Sequence, residues 1–487
     1  MAVSFSGIPN TIRAPFAYIE FDNSRAVQGP STQNWKALFL GQKTAAGTAT
    51  ALVPVRVTSA KQAVTLFGVG SMLALSLAAW FEANKSTETW VVPQADEGAG
   101  VAATGTITVT GPATATGTLA LYIAGQVVNV AVTNADSATA MGTAIAAAVN
   151  AKTSLPVTAA AVAGVVTLTA KNKGTHGNYI DVRHGYYGES LPSGITVEIV
   201  AMASGATDPS VTAALDAAGE SQFKIIVLPT TGAANLTAIE TELARRWGPM
   251  LQIDGHAIAA FTGSYGAAST LGDSRNSPHL SIVALEKSPS LPAEIAAAVA
   301  AQVALAGSID PARPFTTLAL PKILPPLVGD RFTADERNLL LYDGISTLTV
   351  DSGDVVRIER MITTYKTNGV GADDISYLDL TSVLTLSYLR YDLRNMFLLK
   401  YPRHKLGRDG GNYGAGQSII TPKVAKAEIV TKFQQWESLG LVENVDQFKA
   451  DLVVERNASD PNRLDVLLSP DLINQLLVTA ANIQFLL

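Results

Sequence analysis

The groups in this 487-residue sequence that could do chemistry fall in four places: five histidines, a lysine just past a predicted strand, a serine between two glycines, and one basic segment. His176, His184, His256, His279 and His404 lie in unrelated stretches with no HExxH spacing, and the chain has no cysteine. Convergent metal ligands and thiolate nucleophiles are therefore not predicted, and no cofactor is implied. Leu38-Phe-Leu-Gly41-Gln-Lys-Thr44 resembles a phosphate loop in outline, but Gln42 separates the glycine from the lysine and no glycine stands upstream at the required offset. A strand ending in a polar turn is the simpler reading. Gly263-Ser-Tyr-Gly266 follows a predicted strand like a nucleophile elbow, yet lacks the GxSxG spacing and an evident acid–base partner. An α/β hydrolase-like enzyme stays as the alternative reading, against the expectation of no catalysis.

The basic segment holds Arg390, Arg394, Lys400, Arg403, Lys405 and Arg408, interleaved with Tyr391, Phe397 and Tyr401 and followed by a Gly-rich loop at 407–416. Three readings fit it: a surface for a partner protein, a solvated face, or a nucleic-acid groove with stacking aromatics. The net charge of −6 weighs against nucleic acid. Asp373-Asp374 is expected to open the long helix that follows and to complement its dipole.

The elements that must carry these groups read as a mixed α/β chain. Apolar strands at 223–228, 256–261 and 280–285 alternate with helical patterns at 236–247 and 293–306, the signature of a largely parallel sheet covered by helices. Residues 98–175 hold four charged side chains, whereas 331–409 hold 22, so the two stretches belong to different kinds of domain. The first is β-rich, with Thr106, Thr108 and Thr110 alternating with Ile107 and Val109, and Val128, Val130 and Val132 repeating the period. Within it, Asp136 is expected to cap a helix marked by Met141, Ile145 and Val149. The second opens at a capping-box spacing, Thr333 to Glu336, and contains a long helical pattern over 375–399. No apolar run reaches the ~18–20 residues of a membrane span: 71–81 is short, and 293–307 carries Glu294 and Gln302. A soluble chain without a secretory leader is expected.

The two ends are unusual. Phe16, Tyr18, Ile19 and Phe21 form a strand pattern near the start, and Ile483, Phe485 and Leu487 another at the finish, where polar, frayed residues are the norm. Either each end tucks into the chain's own sheet, or each adds a strand to a neighbouring copy.

Ile8-Pro9, Ile12-Arg-Ala-Pro15 and Tyr18 to Ser24, then Arg331 to Ser346, Ile362 to Tyr365, Asn368, Ser376 to Asp379, and Glu455 to Val466, together resemble Mu-like contractile phage tail sheath proteins. His176-Gly-Asn178 and Tyr186 to Glu189 extend the resemblance to the middle of the chain. The resemblance implies a multidomain, non-enzymatic sheath subunit. In it, 1–30 and 481–487 are arm strands, 31–97 with 176–330 the α/β core, 98–175 an outer insertion, and 331–480 an inner domain. It further implies stacked hexameric rings around a tail tube and contraction that drives the tube through the host envelope for genome ejection. The implied partners are other copies, the tube protein, and baseplate and tail terminator proteins, with no nucleic acid and no membrane insertion. The implied place is the virion tail after assembly in the host cytoplasm. The six basic residues above are then candidates for facing the tube.

Overall fold

The computed structural model describes residues 33–414 and 416–486. The described chain divides into two compact units, Asn395–Asp471 and a larger one of Asn34–Arg394 with the segment from Leu472 onward.

The larger unit is built on an eight-stranded sheet in the order Val356–Arg360, Ile345–Val350, Leu280–Ala284, His256–Phe261, Ile225–Val227, Lys36–Gln42, Glu88–Gln94, Val55–Val57. The six inner strands are parallel and the two outermost antiparallel. The parallel strands are buried along most of their length because helices cover both faces. On Lys36–Gln42 the alternation assigns the faces: Ala37 and Phe39 join one core, Leu38 and Leu40 the other. The first core is closed by the helices Met72–Ala83 and Pro292–Ile309, with Phe39 edge-on to Trp80 at 5.2 Å. Alanine at 293, 296, 297, 300, 301 and 304 lets this helix approach its neighbours closely. At Gly307 a Cβ would stand 2.7 Å from the Trp35 ring, so only glycine fits. Pro292–Ile309 is long and apolar enough to cross a membrane by length and composition, contrary to the sequence expectation, but two-thirds of it is buried in this core.

The sheet does not respect the expected break at 331. Ile282 pairs with Ile345 and Ala284 with Thr347 in a parallel ladder, so Ile345–Val350 and Val356–Arg360 complete the central sheet. The charges that suggested a separate domain lie on the helices Ala334–Tyr342 and Leu380–Lys400, the loops and the outermost strand Val356–Arg360, while Ile345, Ser346, Thr347 and Leu348 are buried. The long helix runs Leu380–Lys400, about 31 Å, and not from 375. Asp374 accepts a hydrogen bond from the Tyr365 hydroxyl at 2.6 Å, so it does not serve the helix dipole. The division between units falls inside this helix, at Arg394/Asn395.

The β-rich module is present, with a four-stranded sheet in the order Thr196–Ala203, Thr104–Thr110, Val165–Ala170, Val157–Val162 and a three-stranded one in the order Gln126–Val132, Gly117–Ile123, Val182–His184. Ile107, Val109, Val128, Val130, Val132, Val166 and Leu168 point into its core against Met141, Ile145 and Val149 of the helix Ala138–Ala151. Two strands beyond 175 belong to it, and a bridge between Val101 and Ala206 closes its stem. Charge poverty marked its start but not its end, because Thr196–Ala203 carries Glu198 on an exposed position. Ser137, not Asp136, caps the helix by accepting from the Ala140 N–H at 3.2 Å. Asp136 holds the preceding turn through the Thr133 N–H at 2.7 Å.

The smaller unit packs the helices Pro422–Ser438 and Val445–Asp451 through Phe433 and Phe448, stacked at 3.9 Å, beside buried Ile429 and Trp436. The hairpin Val453–Arg456 with Leu464–Leu467 belongs to the same unit.

Candidate functional site

In an open parallel sheet, ligands sit beyond the carboxyl ends of the strands where the order reverses, here between Lys36–Gln42 and Ile225–Val227. That crevice is filled by the module's own stem. Gln42 donates to Asp96 at 2.7 Å and to the Lys173 carbonyl at 2.8 Å. Asn172 donates to Asp96 at 2.9 Å and to the Lys43 carbonyl at 3.0 Å. The helix N-terminus that would meet a phosphate is also taken: the Met72 N–H donates to Asn172 and the Ala74 N–H to Ser71, both at 3.1 Å. The remaining cavity there is about 10 Å³, room for about one water.

The other chemical candidates resolve as structure. Ser264 caps the helix Tyr265–Asp273, its oxygen accepting from the Ala267 N–H at 3.4 Å. His256 lies 2.8 Å from Ser281, a pairing that sequence alone did not show, but both are buried on inner strands. Ser281 donates to the Ile362 carbonyl at 2.6 Å, and His256 Nδ1 has no hydrogen-bond partner, so no third group orients the pair. Burial, with help from the neighbouring His279 and Lys224, pushes His256 down to about 3. His279 is pushed down to about 4, mainly by burial. Among the described residues no group of three or more metal-ligating side chains converges.

Arg390 is not a surface residue awaiting a partner. Its guanidinium pairs with Asp254, donates to the Trp247 carbonyl at 2.8 Å and lies 4.2 Å from the Trp247 ring centre. Ser387, one turn earlier, donates to Asp254 at 2.5 Å and accepts from Lys224, which burial pushes down to about 8. These groups fasten the helix Leu380–Lys400 to the larger unit's sheet. A lysine inside the apolar run Phe223 to Leu228 was the sequence signal for them. Arg394 is exposed on the same helix. In the smaller unit, Lys400 pairs with Glu428 at 2.5 Å, while Arg403, Lys405 and Arg408 are exposed. The Lys405 ammonium donates to Gln417 at 3.2 Å.

The remaining feature is a pair of unsatisfied surfaces. Ile483 is 86% and Phe485 78% exposed, and the segment from Ile473 to Leu486 forms no strand. Phe16, Tyr18, Ile19, Phe21 and Leu487 lie outside the described residues. The hairpin pairs Val453 with Leu467, Val454 with Val466, Glu455 with Asp465 and Arg456 with Leu464. It is a sheet of two strands only, so both outer edges offer free backbone donors and acceptors among the described residues, with Val453 and Leu467 exposed. A two-stranded hairpin is marginal in water, and long open edges invite another strand. Its tip is firm: Asn457 accepts from the Ser459 and Asp460 N–H groups, each at 2.8 Å, and donates to Asp465 at 2.6 Å. The sequence located these strands but could not show that none of the described residues pairs with their outer sides.

Comparison with known proteins gives a consistent result. Residues 204–364 match the family described as phage tail sheath protein central domain, and 372–485 the phage tail sheath C-terminal domain. The chain is 41% identical over 488 aligned positions, the full length of both proteins, to the Mu-like prophage FluMu tail sheath protein of Haemophilus influenzae. In fold it is similar to the sheath tail protein of Listeria innocua, at TM-score 0.50 and 14% identity over 92% of this chain and 94% of that one. It is also similar to a chain of the anti-feeding prophage baseplate, at TM-score 0.51 and 11% identity over 98% and 100%.

Proposed function

The chain belongs to the phage tail sheath family, and from that premise we propose that it polymerises through strand exchange into stacked six-membered rings around a tail tube. It is a structural subunit of a contractile tail sheath. The observation that supports the finer reading is the pairing of needs: a hairpin whose two outer edges are open among the described residues, and an exposed apolar segment at 483–486 with no strand of its own among them. Backbone hydrogen bonds from an added arm would satisfy the hairpin, and alternate side chains would set the register. Two or three large side chains buried per arm, at about 1.5–3 kcal/mol each, make a firm link. The N-terminal pattern Phe16 to Phe21 supplies the second arm.

Contraction then needs no reaction at the subunit. Assembly holds the sheath extended, and rotation of subunits releases that energy by burying more surface between copies. The filled crevice and the buried Ser281–His256 pair support a non-enzymatic role. Arg394, Arg403, Lys405 and Arg408 suit a tube contact that must let go, because exposed ion pairs are worth only about 0–1 kcal/mol each. The charge-poor module faces outward, the subunit meets baseplate and terminator at the ends of the stack, and the driven tube crosses the host envelope for genome ejection. Deleting Ile483 to Leu487 tests the carrying observation. The truncated chain is expected to keep its circular dichroism spectrum and melting temperature and to remain unassembled; sheaths formed by it would sink the arm reading.

A further inference from the structure

The turn at 366–375 is held far more firmly than an exposed loop requires. The Asn368 N–H donates to the Ala372 carbonyl at 2.9 Å, and Asn368 Oδ1 accepts from the N–H groups of Val370 and Ala372, both at 3.1 Å. The Asp374 N–H donates to the Lys366 carbonyl at 2.8 Å. At the base, Asn276 Oδ1 accepts from the Lys366 N–H at 2.8 Å, and its amide donates to the Thr367 carbonyl at 2.9 Å. The Lys366 ammonium reaches the carbonyls of Gly272 at 3.0 Å and Asp343 at 3.3 Å, tying the turn to the ends of two helices. Gly371, at φ 79°, makes the reversal. All this framing presents Val370, 89% exposed, at the tip, with Ile375, 79% exposed, and the exposed carboxylate of Asp373 beside it. A loop ordered in the free subunit loses little entropy when it docks.

The same sheet offers a complementary surface at its other end. The outermost strand Val55–Val57 has one edge that no described residue pairs with, next to exposed Leu52, Val53 and Val64. From Thr44 to Phe81 the only charged residues are Arg56 and Lys61, both exposed. The turn hangs beside Leu280, whose carbonyl accepts from the Thr364 N–H at 2.8 Å, in the third strand from the opposite end. Five strand spacings, roughly 24 Å, separate the two surfaces. They cannot meet within one subunit.

We infer that the 366–375 turn is a preformed knob for a second copy of this chain, seating Val370 and Ile375 against Leu52, Val53 and Val64, and Asp373 near Arg56 and Lys61. The inference rests on the polymer reading and adds a contact separate from the arms. Acidic against basic gives the pairing its direction, because knob on knob would bring two Asp373 carboxylates together. Two different surfaces on opposite ends of one sheet make a head-to-tail contact, the kind that closes rings or extends helices.

The chain has no cysteine, so Val53→Cys and Val370→Cys together give a clean cross-link test in the full-length protein. Oxidation of assembled particles is expected to give a ladder of covalent multimers from the double variant and none from either single one. Particles that assemble without a ladder, or dimers from Val370→Cys alone, overturn the inference. A second variant, Val370→Asp, is expected to keep its melting temperature and lose at least tenfold in assembled fraction; wild-type assembly overturns the knob while leaving the arms standing. If the unmodified chain never assembles, the polymer reading and the knob fall together.

Discussion

Acid should destabilise the larger unit through histidines that burial depresses, His176 among them, and the size of the effect can be worked out for the two on the central sheet. His256 and His279 are 1% and 4% exposed, and their folded-state values are about 3 and about 4. Against an unfolded value of about 6.5, each base is depressed by folding. The unfolded chain therefore takes up protons first, and stability present above pH 6.5 is lost as pH falls toward the folded values. From pH 6.5 to 4.5 each histidine removes about 2.2–2.3 kcal/mol, less than two full units at about 1.36 kcal/mol each because the unfolded imidazole is already half protonated at pH 6.5. Glu294 acts in the opposite sense: burial pushes it up to about 7, so its proton uptake stabilises the fold between pH 7 and the ordinary carboxylate range. A difference measurement cancels it. Urea unfolding of the chain lacking Ile483 to Leu487, so that assembly does not intervene, is compared at pH 6.5 and 4.5 with and without His256→Asn. The substitution should cut the acid loss by about 2.3 kcal/mol. An unchanged acid loss would show that His256 is already charged in the folded protein, and would refute the account of its burial.

Three further outcomes are expected. Asp254→Asn leaves Lys224 and Arg390 without their shared carboxylate and should cost about 3–5 kcal/mol by denaturant unfolding, with faster hydrogen exchange over 380–394, while Arg394→Gln should change neither. Phe433→Ala removes the ring stacked on Phe448 and should cost about 3–5 kcal/mol, read as loss of protection confined to 395–471. Thr333→Ala removes both the cap on the Glu336 N–H and the hydroxyl bonded to its carboxylate, and should cost about 1 kcal/mol by thermal melting.

The mixed α/β architecture was legible because the inner strands are short apolar runs between amphipathic helices, and His256–Phe261 falls where the pattern puts it. The Thr333 capping box was legible for a local reason, since its partners lie three residues apart. Domain edges were not, because charge density reports exposure and not sheet membership. Ile345–Val350 is buried amid charged neighbours, and Thr196–Ala203 joins the β-rich module despite Glu198. Arg390 shows the same limit at a single residue. Its sequence neighbours are basic and aromatic, but what decides its role is Asp254, 136 positions away. The apolar residues near the two ends of the sequence stood out by type alone, whereas the hairpin edges left open among the described residues are a property of what fails to pair, which no local pattern encodes.

Strand exchange between copies would be seen in a cryo-electron-microscopy reconstruction of the assembled particle. Strand density from other subunits is expected along both outer edges of the Val453–Arg456 and Leu464–Leu467 hairpin, with side-chain features for Phe485 in one of them. Edges left facing solvent in an assembled sheath, with 483–487 folded back on its own subunit, would contradict it.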